Sequence, residues 1–287
     1  MSVPFELLSL DHKKWYVNLV ISTILADNTV SPTEVSFIKS IASVIDDTGE
    51  KQTILDLLSK KQKPPLVAPP PGIPLAILTA IYMEIIQILI CDLDFDSKER
   101  LFLEEVGKLC RFEKSFLNKL LEWCENGLKW KQQQKLLVNP GQADNNFGVP
   151  VNKMTSPQKS WYAVILINCI MLDGHIDQME VVFLKAALSF VENKKHQKQF
   201  AAYIRNRMAP PLQPYPGSLT RDIVNKVMME AIQILATDQQ ISLNEQALLI
   251  RIAEVCSIPQ NEFVKFMEWA NQGVNWKNSK DELIAQC

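Results

Sequence analysis

The chain has 287 residues, of which 47% are hydrophobic and 22% are charged, the balance of a globular protein with a substantial core. Its formal charge is −2, and division after Asn145 gives halves of −3 (16 basic, 19 acidic residues) and +1 (14 basic, 13 acidic residues). Neither half has the basic excess of a nucleic-acid-binding protein, so nucleic acid is not an expected partner. The first residues lack the basic and apolar regions of a secretory signal, which predicts a cytoplasmic location.

The first predicted elements are two helices that flank residues 27–34. Apolar residues at helical spacing precede this stretch from Trp15 and follow it from Val35. The stretch reads DNTVSPTE, and its order of Asp, apolar residue, Ser or Asp, and Glu recurs three times. The recurrences are DLDFDSKE (92–99), DGHIDQME (173–180) and DQQISLNE (238–245). Four occurrences predict four similar corners between consecutive helices.

The next predicted helix, IPLAILTAIYMEIIQILIC (73–91), is almost long enough to span a bilayer. Glu84 and Gln87 interrupt its apolar surface, and the matching helix of the second half contains Arg221, Asp222 and Lys226. Because matching helices share one environment, we expect residues 73–91 to form a buried helix. No transmembrane segment is predicted.

The second half of the chain repeats the first at an offset of 146 residues. The matching segments are 13–45 with 159–191, 82–110 with 228–256, and 122–131 with 268–277. Residues 139–157 between the halves are rich in Pro, Gly and Asn, as linkers are. With no strand pattern, the sequence predicts an all-α protein with two tandem helical-bundle domains (1–138 and 158–287) and a linker (139–157). Each domain contains two related helix–turn–helix units, with Pro-rich connectors at 63–74 and 209–218 that we expect to be structural.

Each corner has the pattern of a capping box, in which a Ser or Asp accepts from the helix N-terminus and a Glu three residues later reaches back. The predicted pairs are Ser31/Glu34, Asp96/Glu99, Asp177/Glu180 and Ser242/Glu245. Capping does not explain the leading Asp, because a helix C-terminus disfavours an anion. This Asp either bonds the amides of the turn or helps to bind a cation.

An EF-hand is excluded, because the sixth and twelfth positions counted from Asp92 are Ser97 and Leu103, where Gly and Glu are required. A looser carboxylate site remains an alternative, and oxygen ligands of this kind suit calcium or magnesium. Its candidate ligands are Asp27, Glu34, Asp92, Glu99, Asp173, Glu180, Asp238 and Glu245.

At these corners the chain resembles the tellurite-resistance TerB-like family, whose helical domains carry Asp-Gly-x-(Ile/Val)-x-x-x-Glu between two helices. ADNTVSPTE (26–34) and LDGHIDQME (172–180) match this pattern well. Asn28, Leu93 and Gln239 stand where the family has glycine. The resemblance, taken as two tandem domains, covers nearly the whole chain. It implies a cytoplasmic bacterial all-α bundle, linked to stress-response or membrane-associated complexes, with an acidic surface associated with metal ions.

Three other kinds of residue have a predicted role: the tryptophans of a repeated pattern, two glutamates in apolar helices, and the cysteines. The pattern W-x-x-x-G-x-x-W-K predicts a helix C-cap at its Gly, and its tryptophans are either core residues or a partner-binding patch: Trp123, Trp130, Trp269 and Trp276. Glu84 and Glu230 lie in apolar helices, where each either bonds to a Pro-rich connector or serves as a ligand. Cysteines in apolar runs are expected to be buried free thiols: Cys91, Cys110, Cys169 and Cys256.

No serine elbow, phosphate-binding glycine loop or zinc spacing is present, so we expect no enzymatic activity. The leading hypothesis is a non-enzymatic adaptor that binds other proteins, with a peripheral membrane complex as one setting. A divalent-ion sensor that uses the Asp/Glu corners is the alternative. A metal-dependent hydrolase that uses the same carboxylates is a weaker alternative.

Overall fold

A computed structural model describes residues 3–25, 52, 56–57, 60, 62–93, 95–138, 147–172, 178–236 and 240–287, with only the backbone at 178–180. Over these residues the protein is helical and has no strand, which confirms the predicted all-α class. Their α-helices are α1 (Leu10–Ile24), α2 (Leu75–Leu89), α3 (Ser97–Leu109), α4 (Lys114–Val138), α5 (Ser156–Ile170), α6 (Gln178–Ser189), α7 (Lys194–Arg205), α8 (Arg221–Leu235), α9 (Leu243–Val255) and α10 (Gln260–Ala285).

Helices α3 and α9 begin at the capping boxes that the sequence predicts. The Asp96 carboxylate accepts from the Glu99 backbone N–H at 2.9 Å, and the Glu99 carboxylate accepts from the Asp96 N–H at 2.9 Å. Ser242 and Glu245 form the same reciprocal pair, with distances of 3.3 Å and 2.6 Å. Both boxes are therefore confirmed, and each cap contributes about 1 kcal/mol to stability.

The described chain divides into two compact units. Unit 1 comprises residues 1–131 and 276–287, and unit 2 comprises residues 132–275. The divisions fall inside α4 and α10, so the last part of α10 belongs to unit 1 and the last part of α4 belongs to unit 2. The domain ranges 1–138 and 158–287 stay a prediction.

The centre of unit 1 is the contact between α1 and α2. Tyr16, Ile21, Ile81 and Ile85 have at most 1% of their surface exposed, and fully burying one such aliphatic side chain contributes about 1.5–3 kcal/mol. The core of this unit also takes in Leu283, Ile284 and other residues from the last part of α10. Apolar side chains separated by the whole length of the chain thus share one core.

The centre of unit 2 is α5, which contacts α6, α7, α8 and α9. Its residues 160–170 are all buried, so the helix is enclosed on every side. Phe200 of α7 and Leu184 of α6 pack into the same core. The polar side chains on α5 must therefore find partners inside the unit.

The Pro-rich connectors are fixed to the first helix of each unit by equivalent hydrogen bonds. In unit 1 the Trp15 indole N–H donates to the Val67 carbonyl at 3.0 Å, and the Ser22 hydroxyl donates to the Pro64 carbonyl at 3.0 Å. The equivalent bonds of unit 2, 146 residues later, are Trp161 to Gln213 at 3.0 Å and Asn168 to Pro210 at 2.8 Å. The predicted structural role of the connectors is confirmed.

One stretch of the described helices, Leu75–Asp92, is long and apolar enough to cross a membrane, and 61% of it is buried inside the protein. The prediction of a buried helix at this position is confirmed. Among the cysteines, Cys110, Cys124, Cys169 and Cys256 are buried. The expectation that Cys91 is buried is wrong, because it lies in the exposed turn that follows α2.

Candidate functional site

Three of the predicted metal ligands are described together with their side chains: Asp92, Glu99 and Glu245. Glu99 and Glu245 each accept a hydrogen bond from the N–H of the cap residue, so a carboxylate oxygen of each serves helix capping. Outside the described residues lie Asp27, Glu34, Asp173 and Asp238, together with the side chain of Glu180. The predicted caps Ser31 and Asp177 also lie there.

Asp92, the leading Asp of the second corner, is exposed and ends the short 3-10 turn Ile90–Asp92. Burial lowers the pKa of Lys131 on α4, and the charges of Cys91 and Asp92 oppose that shift. The negative charge of Asp92 therefore favours the charged form of Lys131.

Leu93 follows Asp92 in the left-handed conformation, with φ 72° and ψ 7°. An L-residue with a side chain costs roughly 1–2 kcal/mol there, whereas glycine adopts the conformation freely. The backbone at Leu93 therefore has the conformation that glycine favours. The corner is a tight reversal between a helix end and the next helix.

Among the residues that the structure describes, no three His, Cys, Asp or Glu side chains come together in a way that could hold a metal ion. Most of the candidate ligands lie outside those residues. The metal-sensor hypothesis stays a prediction.

The four tryptophans of the repeated W-x-x-x-G-x-x-W-K pattern are buried or half-buried. In unit 1 the rings of Trp123 and Trp276 stack with centroids 4.4 Å apart, and each indole N–H donates to the other residue's carbonyl, at 3.0 and 2.9 Å. Trp130 stacks on the other side of this pair, 5.4 Å from the Trp276 ring. Trp269 in unit 2 is 3% exposed.

The predicted C-cap at Gly127 is wrong, because α4 runs through it to Val138. An added Cβ at Gly127 would lie 2.4 Å from the Trp276 ring, so glycine is needed there for close packing. Gly273 likewise lies inside α10. In the first copy the glycine of the tryptophan pattern therefore serves the packing of α4 against Trp276 of α10 and does not end the helix.

Glu84 and Glu230 bond to tyrosines of the first helix in each unit, whereas a bond to the Pro-rich connectors was expected. The Tyr16 hydroxyl donates to Glu84 at 2.7 Å, and Tyr162 donates equivalently to Glu230. Burial raises the pKa of Glu230, and the Tyr162 hydrogen bond partly opposes that rise. Burial also raises the pKa of both tyrosines, with the neighbouring carboxylates adding to it.

A groove in unit 2 lies between α5, α7 and the Pro-rich connector and has a volume of about 360 Å³. Its floor consists of buried residues, among them Trp161, Phe200 and Pro210, and its rim consists of exposed residues that include Gln199 and Pro214. The hydrogen bonds that anchor the connector hold one wall of the groove in place. The result is a preformed, mostly apolar depression that is open to solvent.

Ser160 and His196 both line the groove, and the Ser160 hydroxyl lies 3.0 Å from Nδ1 of His196. A serine nucleophile needs a histidine that a third group orients, and His196 has no second hydrogen bond through its ring among the described residues. The buried thiols are also poor nucleophiles, since burial raises the pKa of Cys110 to about 12. The pair can hydrogen-bond a ligand and orient it.

Sequence reasoning did not identify this groove. Its residues come from three separate segments, and the Ser160–His196 contact joins residues 36 positions apart without any motif. The available signal was the aromatic and basic character of residues 194–207 directly before a Pro-rich segment.

Comparison with known proteins finds no family model, no curated protein and no solved structure that matches the chain. The resemblance to TerB-like proteins rests on the corner residues and stays a prediction.

Proposed function

We propose that the protein is a non-enzymatic adaptor that binds a segment of a partner protein in the groove of unit 2. The observation that carries this proposal is the preformed groove itself, with apolar and aromatic side chains below an open rim. Burying one large apolar side chain of a partner contributes about 1.5–3 kcal/mol, so two such side chains offset part of the cost of association. We expect a dissociation constant on the order of 10⁻⁵ M for a short segment.

The contacts around the groove also support binding rather than catalysis. Ser160 and His196 bond to each other, and among the corner carboxylates described with their side chains, Glu99 and Glu245 accept capping hydrogen bonds. We place this adaptor in the cytoplasm, in stress-response or membrane-associated complexes, as the family resemblance implies.

A single substitution at the rim tests the proposal. Gln199 is exposed and lines the groove, and its side chain makes no hydrogen bond with the described residues. Gln199→Trp therefore fills the groove without removing a side-chain hydrogen bond. Ala202 is exposed on the same helix and does not line the groove, so Ala202→Trp is the matched control.

Partners are captured from the native host on immobilised wild-type protein and both variants, and quantified by mass spectrometry. We expect a partner that is retained by the wild type and by Ala202→Trp and reduced at least tenfold by Gln199→Trp. A photo-cross-linker at position 199 should then label the same partner. Equal capture by all three proteins would refute the groove as the binding site.

A further inference from the structure

The helix that forms one wall of the groove is strongly basic. Residues 194–207 contain five basic residues and no acidic residue: Lys194, Lys195, Lys198, Arg205 and Arg207. All five are exposed, and none forms an ion pair with another residue that the structure describes. The acidic residue just before the helix, Glu192, is paired with Lys159. The positive charge of this wall is therefore not neutralised by an ion pair with any residue that the structure describes.

This charge is a local feature of the second half. The matching residues of the first half, 48–61, contain three basic and two acidic residues. The basic run is therefore not part of the pattern that the two halves share. An ordinary solvated helix face would also carry acidic residues, and in α7 none is present.

The basic residues lie close to the groove. His196, Gln199, Phe200 and Tyr203 line it, and Lys195 precedes Gln199 by one helical turn, so these two side chains are neighbours on the helix surface. Lys198 directly precedes Gln199 in the chain, and Arg205 lies two residues after Tyr203. At physiological salt an exposed charge acts over about 8 Å. An anionic ligand in the groove would therefore experience their field.

We propose that the groove binds an acidic polypeptide segment, whose apolar side chains enter the groove while its flanking carboxylates pair with the cations of α7. This inference rests on the proposed adaptor function and names its partner class. The recessed, Pro-walled groove favours a polypeptide over a flat anionic membrane, which cannot fill it. The overall charge of −2 gives no general attraction for nucleic acid.

Three fluorescein-labelled peptide pools test the inference by fluorescence anisotropy with the full-length protein. Each pool has a five-residue core randomised over Leu, Ile, Val, Phe and Pro, flanked on both sides by four Glu, four Gln or four Lys. We expect the Glu-flanked pool to bind about tenfold more tightly than the Gln-flanked pool, since two or three exposed ion pairs each contribute a factor of roughly two to five. The preference should shrink as salt rises.

Two variants distinguish the contribution of the α7 lysines to peptide binding from the contribution of the apolar groove. Lys195→Glu with Lys198→Glu should remove the preference for Glu flanks and retain binding of the Gln-flanked pool. Its control, Lys108→Glu with Lys129→Glu, makes the same change in net charge at exposed positions of unit 1 and should leave the preference intact. Gln199→Trp should weaken all pools.

The outcomes distinguish the two proposals. Equal binding of Glu- and Gln-flanked pools that Gln199→Trp abolishes would overturn the acidic partner and leave the adaptor proposal standing. Binding of no pool, or binding that Gln199→Trp does not change, would overturn both. Tighter binding of phosphatidylserine vesicles or heparin than of the Glu-flanked pool, through the same lysines, would replace the acidic polypeptide with a membrane or another polyanion.

Discussion

Glu84 in unit 1 and Glu230 in unit 2 occupy equivalent positions of a duplicated helix, and each accepts a hydrogen bond from the equivalent tyrosine. Their electrostatic surroundings differ. In unit 1, burial lowers the pKa of Lys280 and the charge of Glu84 opposes that shift, so an ammonium lies near this carboxylate. In unit 2, Gln134 stands at the position equivalent to Lys280, and burial raises the pKa of Glu230.

The difference shows what the duplication retained and what it changed. The hydrogen bonds that hold each connector and each half-buried Glu recur at an offset of 146 residues, so they belong to the repeated scaffold. The cation near Glu84 belongs to residues 276–287, the segment that completes unit 1. Which residues complete a unit therefore decides which charges act on its half-buried carboxylate.

The largest expected effect is from removal of residues 276–287. The truncated protein loses Trp276 from its stack with Trp123 and loses Leu283 and Ile284 from the core of unit 1. Each large buried side chain contributes about 2–5 kcal/mol, so unit 1 should lose most of its stability. Hydrogen exchange read by mass spectrometry should show lost protection in α1 and α2, with α5 and α8 retaining theirs.

Lost protection confined to residues 158–275 would contradict this assignment and favour an independent domain at 158–287. In that case, residues 276–287 would act on the second half of the chain.

A smaller effect is expected from Gly127→Ala, which tests the same segment without shortening the chain. The new Cβ would lie 2.4 Å and 2.6 Å from atoms of the rigid Trp276 ring, so the ring must shift. Overpacking of this kind costs about 1–3 kcal/mol. Denaturant unfolding should show a lower midpoint.

Gly107→Ala is the control, because its Cβ meets the flexible end of Leu117 at 2.5 Å. Rotation of Leu117 and a helix-propensity gain of roughly 1 kcal/mol should leave that variant close to the wild type. Equal losses in the two variants would show that the Trp276 ring is not the cause.

The smallest effects are expected from Glu84→Gln and Glu230→Gln. At neutral pH the two substitutions should change the free energy of unfolding in opposite directions. Each Gln can still accept from its tyrosine. Glu84→Gln removes the anion near Lys280 and should destabilise the protein by about 1 kcal/mol, a value reduced for partial exposure. Glu230→Gln removes a carboxylate that is costly to ionise and should stabilise it.

The pH dependence of stability shows why Glu230→Gln should stabilise the protein. Its folded-state pKa is raised above the ordinary value of 4.5, so the folded state holds the proton more tightly than the unfolded state. Its contribution to stability is complete below that value and is lost as the pH rises through the folded-state pKa. Glu230→Gln should therefore match the wild type near pH 4.5 and exceed it increasingly toward neutral pH. An identical pH profile for the two proteins would contradict the raised pKa.

The sequence alone determined the local structure. The all-α class follows from helical spacing of apolar residues, and the starts of α3 and α9 follow from Asp96/Glu99 and Ser242/Glu245. The duplication follows from residue identities alone. These features are predictable because capping and amphipathic spacing act over three or four residues of the same helix.

Only the tertiary structure decided the groove and the surroundings of the half-buried carboxylates Glu84 and Glu230. Ser160 and His196 meet because α7 packs on α5, and Lys280 lies near Glu84 because the end of α10 packs in unit 1. The pattern around Gly127 predicts a helix end, but Gly127 lies inside α4. The Trp276 ring occupies the space that a side chain at position 127 would need. Contacts between residues far apart in the chain depend on how whole helices pack, and local spacing carries no signal for that packing.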